Sequence, residues 1–190
     1  MSAGQQLAFS MPVAGLSAAD PDWVNVLLKR WGHNLGPVKR PFGSQAWSLD
    51  VDGVAVAVAV SVSTVSAHVI GTENGQPVRL ERGEVVELGR LCADPAQRWA
   101  TRPMLRLWRE VAARRWGYEY WPPIAAVAYS QNSRHQGDIY RWDGWTRISS
   151  ACGSSGGGTW SRKRSATDAV HGRKSLWLWR YGTSQGSGAA

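Results

Sequence analysis

The chain has few of the residues that build disulfide frameworks, metal motifs or membrane spans. Its 190 residues include only two cysteines, Cys92 and Cys152, and their spacing matches no metal-binding motif. Two isolated thiols are typical of a reducing compartment. No apolar run approaches the roughly 20 residues that a membrane-spanning helix needs, and the start lacks the basic segment of a secretory signal. We therefore expect a cytoplasmic protein.

Acidic residues are also scarce. Against 22 Lys and Arg stand 14 Asp and Glu, so the net charge is +8. The excess is concentrated, since residues 98–116 have a net charge of +5 and residues 147–190 a net charge of +6. Such concentration favours a polyanion partner, and a solvated basic surface explains the charge equally well.

Apolar content indicates one folded domain. Hydrophobic residues make up 43% of the chain and 12 residues are tryptophan, which is enough to bury a core at this length. We expect a loosely attached N-terminal arm at residues 1–19 and a flexible tail at residues 183–190. The domain between them, residues 20–182, contains a glycine-rich basic loop at residues 153–174.

Helix and turn signals divide the domain into elements. Asp20-Pro21 starts a helix whose apolar residues recur at helical spacing as far as Trp31. Asp52-Gly53 predicts a hairpin turn, and its second strand alternates valine with alanine, which predicts apolar cover on both faces of the sheet. Helices and strands in this mixture predict an α/β fold with helices on its faces. The strands are expected at residues 45–51, 54–62, 84–92, 124–129, 145–148 and 176–181, with a helix around Pro103.

The stretch that carries most chemistry is QNSRHQGDIYRWDGWTRI, residues 131–148. Ser130, Asn132 and Ser133 are suitable N-caps for a short helix that places Tyr140 on its inner face. A strand end, a polar loop and a tyrosine-bearing helix are together a plausible ligand-holding arrangement.

This stretch resembles two families, one nested in the other. Asn132, Ile139-Tyr140-Arg141 and Gly144-Trp145 resemble the strand–helix–strand end of the GNAT (N-acetyltransferase) fold. The narrower pattern His135-x-Gly137-x-Ile139-Tyr140-Arg141 resembles the Mom family of phage DNA-modification proteins, which are GNAT-like enzymes that place a carbamoylmethyl group on adenine N6. The resemblance covers residues 20–182 and implies a mixed, mostly antiparallel central sheet with helices on both faces.

The resemblance also implies a catalytic centre. Tyr140 stands where GNAT enzymes often place a general acid, and Arg90 would position the donor. Glu87 would act as a base if burial raised its pKa, with an ion pair as the alternative. Three residues apart on one strand, Glu87 and Arg90 are expected to point to opposite faces. Ser130 and His135 would handle donor or proton contacts.

The donor-binding loop departs from the GNAT pattern. The resemblance assigns cofactor contacts to Arg98, Thr101, Arg102 and Asn132. The family glycines are missing from this loop, and Pro103 has no N–H to donate. We therefore expect weak or absent binding of acetyl-CoA, and the sequence does not identify the donor. The alternative is a helix cap with exposed arginines.

DNA is the partner that the resemblance implies. Lysine and arginine neutralise phosphates, and a target adenine would be flipped from the duplex. Trp177 and Trp179 would stack on a base or, as the alternative, pack in the sheet. For a metal, His135 with Asp138 or His68 are weak candidates. The residues assigned to nucleic-acid contact are Trp160, Arg162, Lys163, Arg164, Arg173 and Lys174.

The sequence thus predicts a transferase that modifies adenine N6 in DNA inside the host cell and protects phage DNA from restriction. Two alternatives stay open. One is a conventional acetyl-CoA-dependent N-acetyltransferase acting on a small amine or a protein. The other is a non-catalytic nucleic-acid-binding module, which exposed and unconnected Tyr140 and Arg90 side chains would favour.

Overall fold

The protein is described by a computed structural model that covers residues 12–40, 43–133, 136–152 and 173–182. Within these ranges no helix combines the length and the apolar character needed to cross a membrane. The strands are β1 (Ala14–Ala19), β2 (Ser44–Val51), β3 (Val54–Val62), β4 (His68–Glu73), β5 (Gln76–Glu81), β6 (Val85–Ala93), β7 (Ala125–Gln131), β8 (Thr146–Cys152) and β9 (Lys174–Arg180). The helices are α1 (Pro21–Arg30), α2 (Thr101–Leu107) and α3 (Asp138–Trp142).

Short helical turns adjoin these elements. A 3-10 turn at Pro95–Ala100 leads directly into α2, and a π turn at Trp108–Ala112 followed by a 3-10 turn at Ala113–Tyr118 continues it. One further 3-10 turn, Arg82–Glu84, precedes β6. The helix predicted around Pro103 is therefore confirmed, as the central part of a longer helical segment.

The seven strands β1-β2-β3-β6-β7-β9-β8 form the main sheet in that order, and β4 and β5 form a separate hairpin. Strands β6 and β7 run parallel, while the other neighbouring pairs run antiparallel. This confirms the mixed, mostly antiparallel sheet.

Both faces of the sheet are covered, as the valine–alanine alternation of β3 predicts. Ala57 and Ala59 pack under α2 and its extension. Val58 and Val60 face the other way and pack under α1. On that same face the β4–β5 hairpin, through Val69, covers the strands farther along the sheet. Helices on both faces are therefore confirmed.

The segment before α1 is a strand and not a loose arm. Strand β1 pairs antiparallel with β2, from Ala14 opposite Val51 to Ala19 opposite Ala46. The expected arm at residues 1–19 is therefore wrong for residues 14–19, and residues 1–11 lie outside the described ranges. An edge strand with little buried side-chain surface needs only its backbone pairing, so no apolar alternation marked it.

Local capping explains where α1 begins. The Asp20 carboxylate accepts the N–H groups of Asp22 and Trp23 at 2.7 and 3.0 Å, which satisfies two of the free donors of the first turn. Val24 and Leu28 are fully buried. The helix predicted from Asp20-Pro21 is confirmed.

The start of α3 differs from the expectation. Its N-cap is Gly137, whose φ of 79° suits glycine, and none of Ser130, Asn132 and Ser133 caps it. Ser130 lies inside β7. Asn132 donates from its side chain to the Ser150 carbonyl and accepts from the Ser175 hydroxyl, at 2.9 Å each. The polar side chains after β7 thus tie strands together instead of starting the helix.

Candidate active site between two separating strands

A cavity opens where two parallel strands stop pairing. Strands β6 and β7 are paired from Val85 opposite Ala125 to Leu88 opposite Ala128 and no farther. Beyond that point lies a cavity of about 670 Å³. It is bounded by the ends of β6 and β7, by α3 and by the segment that follows α1. The lining includes Gly89, Arg90, Thr101, Tyr129, Ser130, Gly137, Asp138, Tyr140 and Lys174.

A β-bulge sets which side chains of β6 reach this cavity. Leu88 lies opposite Ser61 and Arg90 opposite Val60, so Gly89 is an extra residue on β6. A bulge of this kind changes the alternation of side chains along the strand. Glu87 lies opposite Val62, and Val60 and Val62 pack on one face under α1. Glu87 and Arg90 therefore share that face, and the expectation of opposite faces is wrong.

Arg90 lines the cavity but its guanidinium is largely engaged. Nε donates to the Gly36 carbonyl at 2.9 Å and Nη1 to the Gly89 carbonyl at 2.7 Å. Nη2 lies 3.3 and 3.4 Å from the carbonyls of Leu35 and Pro37. Burial and the neighbouring positive charge lower its pKa, against the opposing effect of Glu87. Arg90 thus fixes one wall of the cavity, and its contact with a donor stays a prediction.

Glu87 is buried beside Arg40. Burial raises the pKa of this carboxyl above its ordinary value, opposed by the charges of Arg40, Arg90 and Lys174. Arg40 Nη2 lies 3.1 Å from Glu87 Oε1. Glu87 is not among the residues that line the cavity, so this geometry supports the ion-pair alternative, and a role as base stays a prediction.

Tyr140 brings a hydroxyl to the cavity from a buried position. Its ring stacks on Trp177, with centroids 5.8 Å apart, and meets Trp145 edge-on at 5.4 Å. Burial alone raises the pKa of the phenol, so the hydroxyl stays protonated at neutral pH. Within the described ranges, no hydrogen-bond partner occupies this hydroxyl. It is therefore available to a ligand.

Ser130 lies beside Tyr140 in the lining and is held by the same tryptophan. Trp177 Nε1 donates to the Ser130 hydroxyl oxygen at 2.9 Å. Because that contact uses the oxygen as acceptor, the hydroxyl hydrogen is left to donate into the cavity. The predicted contact of Ser130 with a ligand is compatible with this geometry.

Tyr129 is a lining residue that the sequence did not single out. Burial and the nearby Glu87 raise its pKa, so it too stays protonated. In the sequence it belongs to the apolar run that predicts a buried strand, and it looked like core. The signal that could have found it is its place next to Ser130, at the end of the strand where pairing stops.

A buried ion pair holds Trp145, the tryptophan that meets the Tyr140 ring edge-on. Arg109 is 3% exposed and donates through Nε to Asp143 Oδ2 at 2.5 Å, while the same oxygen accepts Trp145 Nε1 at 3.1 Å. Arg109 also contacts Glu110 and lies 3.8 Å over the Trp179 ring. This network joins the extension of α2 to the end of α3. The sequence offered Arg109 only as part of a basic run.

Only one of the four predicted cofactor residues lies in the lining of the cavity. Thr101 lines the cavity, whereas Arg98 and Arg102 are exposed and absent from its lining. Asn132 holds β8 and β9 together. The backbone N–H of Thr101 already donates to the Arg98 carbonyl, and Pro103 has none. Two of the N–H donors that a pyrophosphate would use at the start of α2 are therefore missing, so this segment is a poor fit for that part of acetyl-CoA.

The predicted nucleic-acid residues lie mostly outside the described ranges, as Trp160, Arg162, Lys163 and Arg164 do. Arg173 is exposed. Lys174 is not a loop residue, because it begins β9 and lines the cavity; the expected end of the loop at residue 174 is wrong. Lys174 belongs to the strand because it pairs with Gln131 of β7 on one side and with Cys152 of β8 on the other.

Sheet packing explains the two tryptophans of β9. Trp177 is 4% exposed and Trp179 packs against the same core, so the packing alternative is supported. For a metal, the described residues contain no group of three or more His, Cys, Asp or Glu that could hold an ion. Asp138 pairs with Arg141 at 3.0 Å and His68 with Glu81 at 2.7 Å. His135 lies outside the described residues.

Known structures share this architecture. No protein-family model matches the chain, and no curated protein does. An acetyltransferase-like protein of Salmonella typhimurium, solved with its cofactor acetyl-CoA, is 15% identical, covering 93% of this chain and 99% of its own, with a TM-score of 0.55. An acetyltransferase of the same organism that modifies the N-terminal serine of ribosomal protein L7/L12 is 9% identical, with coverages of 88% and 95% and a TM-score of 0.52.

These similarities establish the fold. An IAA acetyltransferase of Bacillus cereus gives a third case, at 10% identity, coverages of 89% and 100% and a TM-score of 0.50. With its mostly antiparallel sheet, its helices on both faces and its parallel pair that separates at a bulge, the chain has a GNAT-like fold. At these identities the likeness concerns the fold alone.

Proposed function

We propose that the protein is a transferase that delivers a small carbon unit to an amine in the cavity between β6 and β7. The observation that carries this proposal is the Tyr140 hydroxyl, which is protonated, available and positioned by a buried network in a cavity of about 670 Å³. The non-catalytic alternative would be favoured by exposed, unconnected Tyr140 and Arg90 side chains. Instead both residues line one cavity.

The polar residues that line the cavity come from both faces of the sheet. Tyr140 and Ser130 reach the cavity from the side of α2, since Tyr140 packs in the core under that helix and Ser130 is held by Trp177. Arg90 and Lys174 come from the opposite side of the sheet. Arg90 lies opposite Val60, and Lys174 lies two residues before Leu176 on β9, so both lie on the face that packs under α1 and the β4–β5 hairpin. A donor and an acceptor could thus meet in the gap between the strands.

The roles of the residues follow from their protonation. As the amine nitrogen forms its new bond, the bond to the leaving group breaks and the leaving group takes the proton of Tyr140. The amine loses a proton in the same reaction, and that proton passes to the Tyr140 phenolate and restores the phenol. The Ser130 hydroxyl hydrogen would hold an oxygen of the donor. Arg90 would keep the wall made by residues 35–37 in place.

For the acceptor we propose the exocyclic amine of adenine in DNA. The support is the resemblance of the segment from His135 to Trp145 to Mom-like proteins and the net charge of +8, which attracts a polyanion. The poor fit of the start of α2 to a pyrophosphate agrees with a donor other than acetyl-CoA.

A conventional N-acetyltransferase is the second candidate, and the fold comparison favours it. The protein with the TM-score of 0.55 was solved with acetyl-CoA. In this case the acceptor would be a small amine or a protein, and the basic surface would have another role.

Mass spectrometry of nucleosides separates the two candidates. DNA from cells that express the protein, or its Tyr140→Phe variant, is digested and searched for deoxyadenosine of increased mass. A new nucleoside that depends on Tyr140 supports DNA modification. Its absence, with tight stoichiometric acetyl-CoA binding in calorimetry and acetylation of amines, would show the conventional enzyme.

A further inference from the structure

The helical segment formed by α2 and the turns on either side of it has one buried face and one exposed, basic face. Ala100, Met104, Leu105 and Trp108 are buried in the core. The outward positions carry three arginines, Arg98, Arg102 and Arg106, which are all exposed. We call these three residues the arginine row.

The arginine row carries free charge. The ion pairs found among the described residues include none of the three. The contrast is Arg109 in the same basic run, which is buried and neutralised by Asp143 and Glu110. The positive charge of residues 98–116 that is available to a partner is therefore concentrated at the row and at the far end of the helical segment.

The row also starts at the cavity. Thr101 lines the cavity, and its hydroxyl donates to the Arg98 carbonyl at 3.0 Å. Successive members lie one helical turn apart, about 6 Å along the axis, so the row is about 12 Å long. A DNA strand carries a phosphate every ~3.4 Å of its axis. A row of this length that lies along the duplex can thus reach about three phosphates of one strand, one for each arginine.

We propose that Arg98, Arg102 and Arg106 bind the phosphate backbone of the DNA whose base enters the cavity. This inference rests on the proposed DNA acceptor and assigns to Arg98 and Arg102 a role different from donor binding. Guanidinium groups suit it because they make paired hydrogen bonds to phosphate oxygens. Their exposure suits a large partner outside the cavity better than a donor inside it.

The test compares two variants with the same loss of charge. In the first, all three arginines of the row are replaced by glutamine, which keeps a good helix former. In the control, Lys29→Gln, Arg30→Gln and Lys39→Gln remove three exposed cations from α1 and the segment after it, on the opposite face of the sheet. Duplex DNA binding is measured at several salt concentrations, with acetyl-CoA calorimetry and melting curves for each protein.

Each arginine–phosphate contact contributes about −0.9 to the slope of log K against log salt, so the row variant should have a slope shallower by about 2 to 3. Its binding at 0.1 M salt should be roughly 10²- to 10³-fold weaker. The control should keep the slope of the natural protein. If the triple variant unfolds, Arg102→Gln and Arg106→Gln singly should each reduce the slope by about 0.9.

Equal slopes for the row variant and the control would overturn the proposal. So would loss of acetyl-CoA binding in the row variant with an unchanged DNA slope, because the arginines would then serve a donor. The nucleoside assay judges the chemistry separately. If the row variant has a reduced slope but the natural protein modifies no adenine, the arginine row is supported as a DNA contact and the DNA-modifying reaction is refuted.

Discussion

Replacing Tyr140 by phenylalanine tests the proposed reaction at one atom. The change removes the hydroxyl and keeps the ring that stacks on Trp177 and meets Trp145. A hydroxyl that is satisfied within the core would cost about 0.5–1.5 kcal/mol of unfolding free energy when it is removed. Since the described residues supply no partner for this hydroxyl, we expect a smaller loss or a slight gain.

Activity should respond quite differently. A general acid contributes about 10²- to 10⁴-fold to a rate, so group transfer should fall by at least about two orders of magnitude, equivalent to about 2.7 kcal/mol of barrier. Because burial raises the pKa of Tyr140, the activity of the natural protein should not fall through loss of this proton below about pH 10. The assay is the formation of transferred product per enzyme, beside urea unfolding and DNA binding.

Tyr181 provides the matched control. Its hydroxyl is buried with no hydrogen-bond partner among the described residues, burial likewise raises its pKa, and it does not line the cavity. Tyr181→Phe should therefore change stability as Tyr140→Phe does and leave activity intact. Near-normal transfer by a folded Tyr140→Phe protein would refute the reasoning, and Tyr129, whose pKa burial also raises, would become the next candidate for the acid.

Two more predictions concern Gly137, which lines the cavity, and Glu87, which is buried in the pair with Arg40. A Cβ added at Gly137, where φ is +79°, would lie 2.4–2.6 Å from Trp177. Gly137→Ala should therefore lower the free energy of unfolding by about 1–3 kcal/mol or more, and it should reduce transfer by displacing α3. Gly53→Ala, which has a similar φ but open space around the added Cβ, is the control for backbone strain, and melting curves compare the two variants. Burial raises the pKa of Glu87, so the folded state holds this proton more tightly than the unfolded chain and stability should fall as pH rises from the ordinary pKa through the raised one. Glu87→Gln should abolish this fall in urea unfolding from about pH 4 to about pH 8, and identical pH profiles would contradict it.

The parts of the fold that local chemistry determines were predictable from the sequence. Asp20 and Pro21 start α1 because a carboxylate and a proline suit the first turn. Asp52 and Gly53 both have positive φ, 50° and 78°, as a two-residue hairpin turn requires. Such signals act within a few residues and do not depend on the rest of the fold.

The errors arise where distant segments decide the structure. Strand β1 is held by backbone bonds to β2, and its mostly small side chains show no alternation of buried and exposed positions. Arg109 is buried because Asp143, 34 residues away, neutralises it, and nothing near Arg109 in the chain indicates that. Lys174 belongs to β9 because strands on both sides pair with it.

Several residues that the sequence singled out line the cavity, but their geometry was not predicted, and Gly89 shows why. The sequence identified Arg90, Ser130, Thr101 and Tyr140, which all line the cavity. It placed Glu87 and Arg90 on opposite faces, because an uninterrupted strand alternates. An isolated glycine within a strand often marks a bulge, and a Cβ at Gly89 would meet Val62 at 2.8 Å.

That one extra residue has consequences for both strands. It returns Arg90 to the face of Glu87, where its guanidinium can hold the carbonyls of residues 35–37. Pairing between β6 and β7 also ends at Leu88, directly before the bulge, and the cavity begins there. The sequence could suggest the glycine's effect on alternation, but the separation of β6 from β7 depends on contacts across the sheet. The cavity is therefore a property of the assembled sheet, although its chemistry is visible in the chain.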